Sequence, residues 1–335
     1  MKGRDTLKDL YFRLLTLSGS DRRWLGNIRR QDLVVILNLH QVSSVSNPFW
    51  PPMKPEIFDE LLGFLSQHFQ VSLFRDLATV EDHRPVVVLS FDDGYYNFVE
   101  YAAPILAKHG LAANLNVIPK CALTGEPPWN IQLYDFLNSV PRKLINEIRI
   151  AGFDERLADD SADCKVRYGL KISRFLKNRP ARERMEAWSE VSGVMARASD
   201  LKSTRMMNAS EIRDAAAAHE IGVHSYSHES MEFEDEEFFE DDFRKCAAYF
   251  YEELQLPLQI YAFPNGSYRP EQINFLEEQG IQRILLVGED YAERGLRVLP
   301  RFTVYGATPA EARMRALGYP RRPPSNNNRA WKTEN

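Results

Sequence analysis

The sequence predicts an α/β protein built on parallel strands, as a barrel or a layered sheet. Three observations predict it. Short apolar, β-branched runs alternate with helical patterns along most of the 335 residues. Several of those runs end in chemistry-bearing side chains, as in Val86-Val87-Val88-Leu89-Ser90-Phe91-Asp92-Asp93-Gly94-Tyr95. The composition, 44% hydrophobic and 27% charged, supplies a sizeable core and excludes global disorder.

The first 30 residues carry one short amphipathic helix through Leu10, Phe12, Leu14, Leu15 and Leu17, interrupted by Arg and Lys. No uninterrupted apolar segment with a small-residue cleavage site follows. No stretch reaches the roughly 18 apolar residues of a membrane span. The expectation is a cytoplasmic protein with a docking helix at its start, a helix that also leaves room for peripheral membrane contact.

Residues 33–39 read as a buried strand ending in His40, Gln41 and Val42. A Pro-rich, Trp-containing loop over 47–55 leads to a helix over 56–69, whose Ile57, Phe58, Leu61, Leu62 and Leu65 face the core. The central strand runs through Val86–Phe91. Pro104 suits the first turn of a helix through Ile105 and Leu106, which Gly110 stops. Residues 113–118 form another strand. Between about 125 and 205 strand signals thin out, and helices such as 131–137 and 165–176 take over, which reads as a helical insertion. The core resumes with a helix at 208–219 and a strand at 220–223. An acidic run over 232–242 then leads into a helix through Leu254, its carboxylates suiting a helix N-terminus and a solvated face. Residues 259–263 and 283–287 complete the strands. The chain thus divides into a helical segment (1–30), an α/β body (31–310) and a flexible tail (311–335), frayed from Pro320 onward.

A net charge of −5 argues against a nucleic-acid partner, since no basic excess exists to neutralise phosphates. Cys121, Cys164 and Cys246 are odd in number and far apart. They suggest reduced thiols, not a disulfide frame or a Cys-zinc site.

Asp92 and Asp93 stand side by side where the central strand ends. Two carboxylates that close are costly unless a cation lies between them or one is protonated. Alone, Asp-Asp-Gly also describes an ordinary turn. Downstream, Glu220-Ile221-Gly222-Val223-His224-Ser225-Tyr226-Ser227-His228 closes with two histidines four apart. On a helical turn that spacing puts both imidazoles on one face. One carboxylate and two neutral imidazoles make the ligand set of a catalytic zinc site with open positions.

Ser-Phe-Asp-Asp-Gly-Tyr at 90–95, His-Ser-Tyr-Ser-His at 224–228 and Phe-Pro-Asn-Gly-Ser-Tyr at 263–268 resemble, in that order, the motifs of the polysaccharide deacetylase family (NodB homology domain, carbohydrate esterase family 4). The resemblance covers roughly residues 33–304. Its nearest branch carries a His-x-Val element on an early strand, here His40-Gln41-Val42. It implies a distorted (β/α)7-type barrel, open where the sheet closes imperfectly, with the helical insertion added. It also implies Asp92 as general base, Asp93, His224 and His228 as ligands of a divalent metal (Zn2+ foremost), and the backbone N–H of Asn265 as an oxyanion donor. Tyr95, Pro264 and Tyr268 would line the sugar groove. Trp129, after Pro127-Pro128, offers its aromatic face either to a sugar or to plain packing.

The implied activity is hydrolysis of the N-acetyl amide of an amino sugar in a polysaccharide, oligosaccharide or lipid-linked glycan. The chemistry fits the residues. A divalent ion lowers the pKa of bound water from about 15.7 to about 7, and a neighbouring unligated carboxylate adds roughly 10²–10⁴ in rate as the base.

Two departures stand out. Where the family's third motif commonly starts with an Arg that orients the base, this chain has Ala262; Arg301, in Leu-Pro-Arg-Phe after a late strand, is the candidate replacement. No His occurs after His228, so the family's late His, which protonates the leaving amine, is missing. His40 is the remaining strand-end candidate for that step, against a plain packed His; otherwise the proton comes from Asp92 or water. His83 and His109 read as solvent-exposed. Lys165, Arg167, Lys171, Arg174, Lys177 and Arg179 read as a solvated helical face, or as a site for a phosphate on a lipid- or nucleotide-linked sugar. Two other functions suit the same motifs: a deformylase or other linear-amide hydrolase, and a non-catalytic, metal-stabilised module that binds glycan or a partner. Acetate release separates them.

Overall fold

The computed structural model describes residues 2–80, 84–199 and 201–321. His83 and the part of the expected tail beyond 321 lie outside the described residues. Eight parallel strands form the sheet: β1 (Val34–Leu39), β2 (Gln70–Ser72), β3 (Val86–Phe91), β4 (Asn114–Val117), β5 (Glu220–Val223), β6 (Ile260–Ala262), β7 (Arg283–Val287) and β8 (Val298–Thr303). Seven of them close a ring in the order β1-β8-β7-β6-β5-β4-β3, and β3 returns to β1. Short β2 sits on the edge of β3 beside Val86–Val88, and β4 takes that same edge further along, beside Ser90 and Phe91.

The ring is therefore a closed parallel (β/α)7-type barrel, without the gap expected at its seam. Six consecutive pairs, Val34↔Val86 to Leu39↔Phe91, join β1 to β3. The thinnest seam is β5–β6, held in register at Val223↔Tyr261. Two strands escaped the sequence reading. β2 is too short to show a period, and Pro300 and Arg301 disguise β8, which places Arg301 within a strand, not after one.

Alternation along each strand decides what the barrel holds. Val34, Ile36, Val86, Val88, Ile260, Ala262, Leu285 and Leu299 share one cluster, which fills the interior. Their alternates Val35, Leu37, Val87, Leu89 and Phe91 join the larger cluster, which lies beneath helices such as Pro55–His68. Two residues further along the inward positions the side chains turn polar: Asn38, Ser90, Asn116 and Arg301 are all buried. An apolar plug below thus supports a polar layer above, at the strand ends where reacting groups gather.

The insertion consists of helices Trp129–Ser139, Arg142–Ile145, Ala162–Lys177 and Ala181–Met195. Ile131, Leu133, Phe136, Leu137, Tyr168, Ile172, Leu176 and Val191 give it an apolar cluster of its own. At the N-terminus two helices, Lys2–Leu17 and Ser20–Arg30, stand where one was expected. Gly19 in the left-handed region (φ 74°) breaks them apart. The first residues of the expected tail are helical. Helix Pro309–Ala316 buries Ala312, Met314 and Ala316, and Lys8 pairs with its Glu311 at 2.6 Å. Among the described residues no helix is long and apolar enough to cross a membrane.

Candidate metal and catalytic centre

The inward series Val86, Val88, Ser90 ends in Asp92, which is 1% exposed. Asp93 and Gly94 then both take positive φ (76° and 74°). Glycine does so freely, whereas for Asp93 it is a strained conformation, held here because the turn folds its carboxylate back beside that of Asp92.

His224 follows β5 directly, but the chain from there to His228 is not helical. Ser225 (φ 54°) and His228 (φ 63°) are both left-handed, and this coiled loop, not a helical face, brings the imidazoles together. Their ring centroids lie 5.0 Å apart. Asp93 Oδ1 stands 3.6 Å from His224 Nε2 and 3.4 Å from His228 Nε2.

These three residues fit a divalent ion on several counts. Ligand atoms about 2.0–2.2 Å from one tetrahedral ion stand roughly 3.3–3.6 Å from each other. Asp93 Oδ1 is buried without a hydrogen-bond partner, which is costly unless something electropositive meets it. His224 Nδ1 lies 2.8 Å from the Ala262 carbonyl, so its proton is held there and Nε2 keeps its lone pair. Burial pushes His228 down to about 3, the approach of His224 and Lys177 adding to it and Asp93 opposing, so this imidazole is neutral, as a ligand must be.

Asp92 has a different neighbourhood. Arg301 grips it bidentately, Nη1 to Oδ1 at 2.7 Å and Nη2 to Oδ2 at 2.8 Å. Asn116 Nδ2 adds a third bond to Oδ1 at 2.8 Å. Ser90 Oγ knits the layer together, accepting from Arg301 Nη1 at 3.0 Å and from Asn116 at 3.1 Å, and donating to Asn114 at 2.7 Å. Burial alone would raise this carboxyl, yet Arg301, His224 and His40 outweigh it and hold it well below the usual carboxylate range. It stays ionised. Arg301 is completely buried, and it reaches Asp92 from β8.

His40, half-buried at the end of β1, packs edge-on against Trp50 at 5.3 Å. Burial lowers its pKa, while Asp93 and Asp92 pull the other way. Asn265 tops the 3₁₀ turn Pro264–Gly266 with φ 58°. Its side chain is tied down on both sides, Nδ2 donating to Ser230 Oγ at 3.1 Å and Oδ1 accepting from Lys177 Nζ at 2.9 Å.

The residues expected to line a sugar groove differ in how far they are exposed. Tyr95 is buried at 2% exposure, its hydroxyl bonded to Asp93, so it braces a candidate ligand. Pro264 is buried, and Tyr268 packs against Phe263 at 5.4 Å. Trp129 stands edge-on to Trp188 at 5.8 Å, in a cleft of about 490 Å³ also lined by Lys120, Arg184, Tyr226 and Glu229. His109 is not free in solvent but paired with Asp59 at 2.6 Å.

Two participants went unread in the sequence. Asn116 and Ser90 left a signal, polar residues at inward positions of otherwise apolar strands. Lys177 was read only within a solvated face or a phosphate site. As the last residue of an insertion helix it looked solvated, whereas its amine is half-buried over the centre, burial lowering its pKa and Asp93 opposing.

Residues 183–284 match the family model described as polysaccharide deacetylase. Among solved structures, the Streptococcus pyogenes deacetylase PplD, determined with acetate, is 15% identical with a TM-score of 0.55, over 83% of this chain and 96% of that one. IcaB from Ammonifex degensii is 15% identical with a TM-score of 0.53, over 85% and 97%. BC0361, a polysaccharide deacetylase from Bacillus cereus, is 11% identical with a TM-score of 0.52, over 85% and 69%. At such identities these likenesses speak for the fold. No curated protein matches the sequence.

Proposed function

We propose that this chain is a member of the polysaccharide deacetylase family and hydrolyses the N-acetyl amide of an amino sugar in a glycan with the help of a divalent metal ion. The observation that carries the reading is the buried, partnerless Asp93 Oδ1 with two imidazole Nε2 atoms at 3.4 and 3.6 Å, beside a second carboxylate that Arg301 keeps ionised. Asp93, His224 and His228 would hold the ion, Zn2+ suiting this donor set, and when bound it supplies a Lewis acid that makes water nucleophilic at neutral pH.

The chain's own residues do the rest. Asp92 takes the proton from the attacking water. Its low basicity makes it a modest base and, once protonated, a ready donor, so the same group returns the proton to the leaving amine. This accounts for a chain with no His beyond 228. Arg301 and Asn116 fix the Asp92 oxygens so that the transfer needs no reorientation. The backbone N–H of Asn265, held by Lys177 and Ser230, steadies the developing oxyanion, a contribution of about 2.7–4 kcal/mol in comparable sites. His40 positions water or substrate at the rim next to Trp50.

Acetate release from N-acetylglucosamine oligomers, measured for wild type and Asp92→Asn with zinc supplied, tests the reading. The variant is expected to lose roughly 10²–10⁴ in kcat while binding zinc as before. Equal rates for the two proteins, or no acetate from the zinc-loaded wild type, would overturn it.

A further inference from the structure

The N-terminal helix has two apolar faces and the fold uses only one. Phe12 is buried and Leu15 packs beside it, against the helix Pro309–Ala316. On another side Leu7, Leu10, Leu14 and Leu17 are 69%, 52%, 56% and 83% exposed. Spaced three, four and three apart, they make one continuous stripe, with Tyr11 at its edge. Scattered exposed leucines need no explanation, but four in line on one helix mark a surface that something covers.

The next helix says what kind of partner that is. Ser20–Arg30 carries four arginines against one aspartate. Arg22, Arg23, Arg29 and Arg30 fall at i, i+1, i+7 and i+8, on the face opposite buried Ile28, and all are exposed. Among the described side chains of these helices and the turn that follows, Asp9 pairs with Arg13, Asp21 with Arg313 and Asp32 with Arg294. Two helices in contact thus carry an apolar stripe and an arginine-rich face, on a chain whose net charge is −5.

We infer that these two helices form a docking surface for an anionic lipid bilayer. The leucine stripe enters the boundary between headgroups and acyl chains, and the arginines meet lipid phosphates. A second copy of the chain suits the stripe less well, because like-charged arginine faces would then be brought towards each other.

The inference does not depend on the hydrolase reading, since its test measures binding alone. The full chain is floated with vesicles of phosphatidylcholine containing phosphatidylglycerol, and with phosphatidylcholine alone. Wild type is expected to float with the anionic vesicles and to be released by salt. Leu10→Glu/Leu14→Glu should lower the partition coefficient by roughly tenfold or more per leucine. Arg22→Gln/Arg23→Gln should lower it by about fivefold per arginine. Unchanged thermal unfolding establishes that both variants are folded. Absence of flotation, flotation indifferent to both pairs, or a dimer in light scattering that the leucine variant dissolves would each overturn the proposal, the last in favour of a second copy.

Discussion

At the scale of single residues, the decisive contact is between Asp92 and Arg301, two charges without access to solvent. Such a pair does not stabilise in proportion to its Coulomb attraction, because both ions have lost their hydration, but breaking it leaves one of them stranded. Arg301→Met is therefore expected to lower unfolding stability by about 3–5 kcal/mol in urea titrations. Arg301→Lys should fold better, yet turn over slowly with KM little changed, because an ammonium cannot bridge both Asp92 oxygens. Sequence alone pointed to Asp92, Asp93, His224 and His228, since a strand ending in two acids and a pair of histidines carry recognisable chemistry. It named Arg301 by elimination. It could not separate packing from sugar contact for Tyr95 and Tyr268, because an aromatic ring that packs and one that stacks on sugar are written with the same letter.

Between elements, close approach sets what the strands tolerate. Gly222 on β5 lies where an added Cβ would sit 2.3 Å from Asn116 Oδ1 and 2.9 Å from Ile260. Gly222→Ala should push Asn116 off Asp92, costing about 1–3 kcal/mol in stability together with a fall in kcat. On helix Glu236–Tyr249, Asp242 accepts the Tyr226 N–H with both oxygens, at 3.1 and 3.0 Å. Burial, reinforced by Glu229, pushes its carboxyl up to about 7 against that hydrogen bond. A carboxyl raised in the fold binds its proton there more tightly than in the unfolded chain. Its contribution to stability is full below about pH 4, where both states are protonated, and is lost as pH rises through 7. Thermal unfolding of wild type and Asp242→Asn should show wild type losing ground over that window and no further change above it. The alternating strands and helices were legible from periodicity, the central strand above all. β2 and β8 were not, one being too short and the other interrupted by proline.

For the whole molecule, the three candidate ligands come from the ends of β3 and β5, which are joined only through short β4. An ion bound to them clamps neighbouring sectors of the ring, and binding to the folded state alone raises stability by about 2.7 kcal/mol at a hundredfold excess over Kd. Zinc should therefore raise the Tm of wild type, a chelator should reverse the rise, and His228→Ala should show neither effect. By itself the sequence determined the parallel α/β class, the helical insertion and the identity of the acids and histidines, because strand and helix periods and side-chain chemistry are local properties. Only the tertiary structure decided that the ring closes through β1 and β3, that a left-handed loop brings His224 and His228 together, and that Arg301 and Lys177 reach the centre from β8 and the insertion. Those are contacts between residues far apart in the chain, and no short stretch of sequence contains the distance between them.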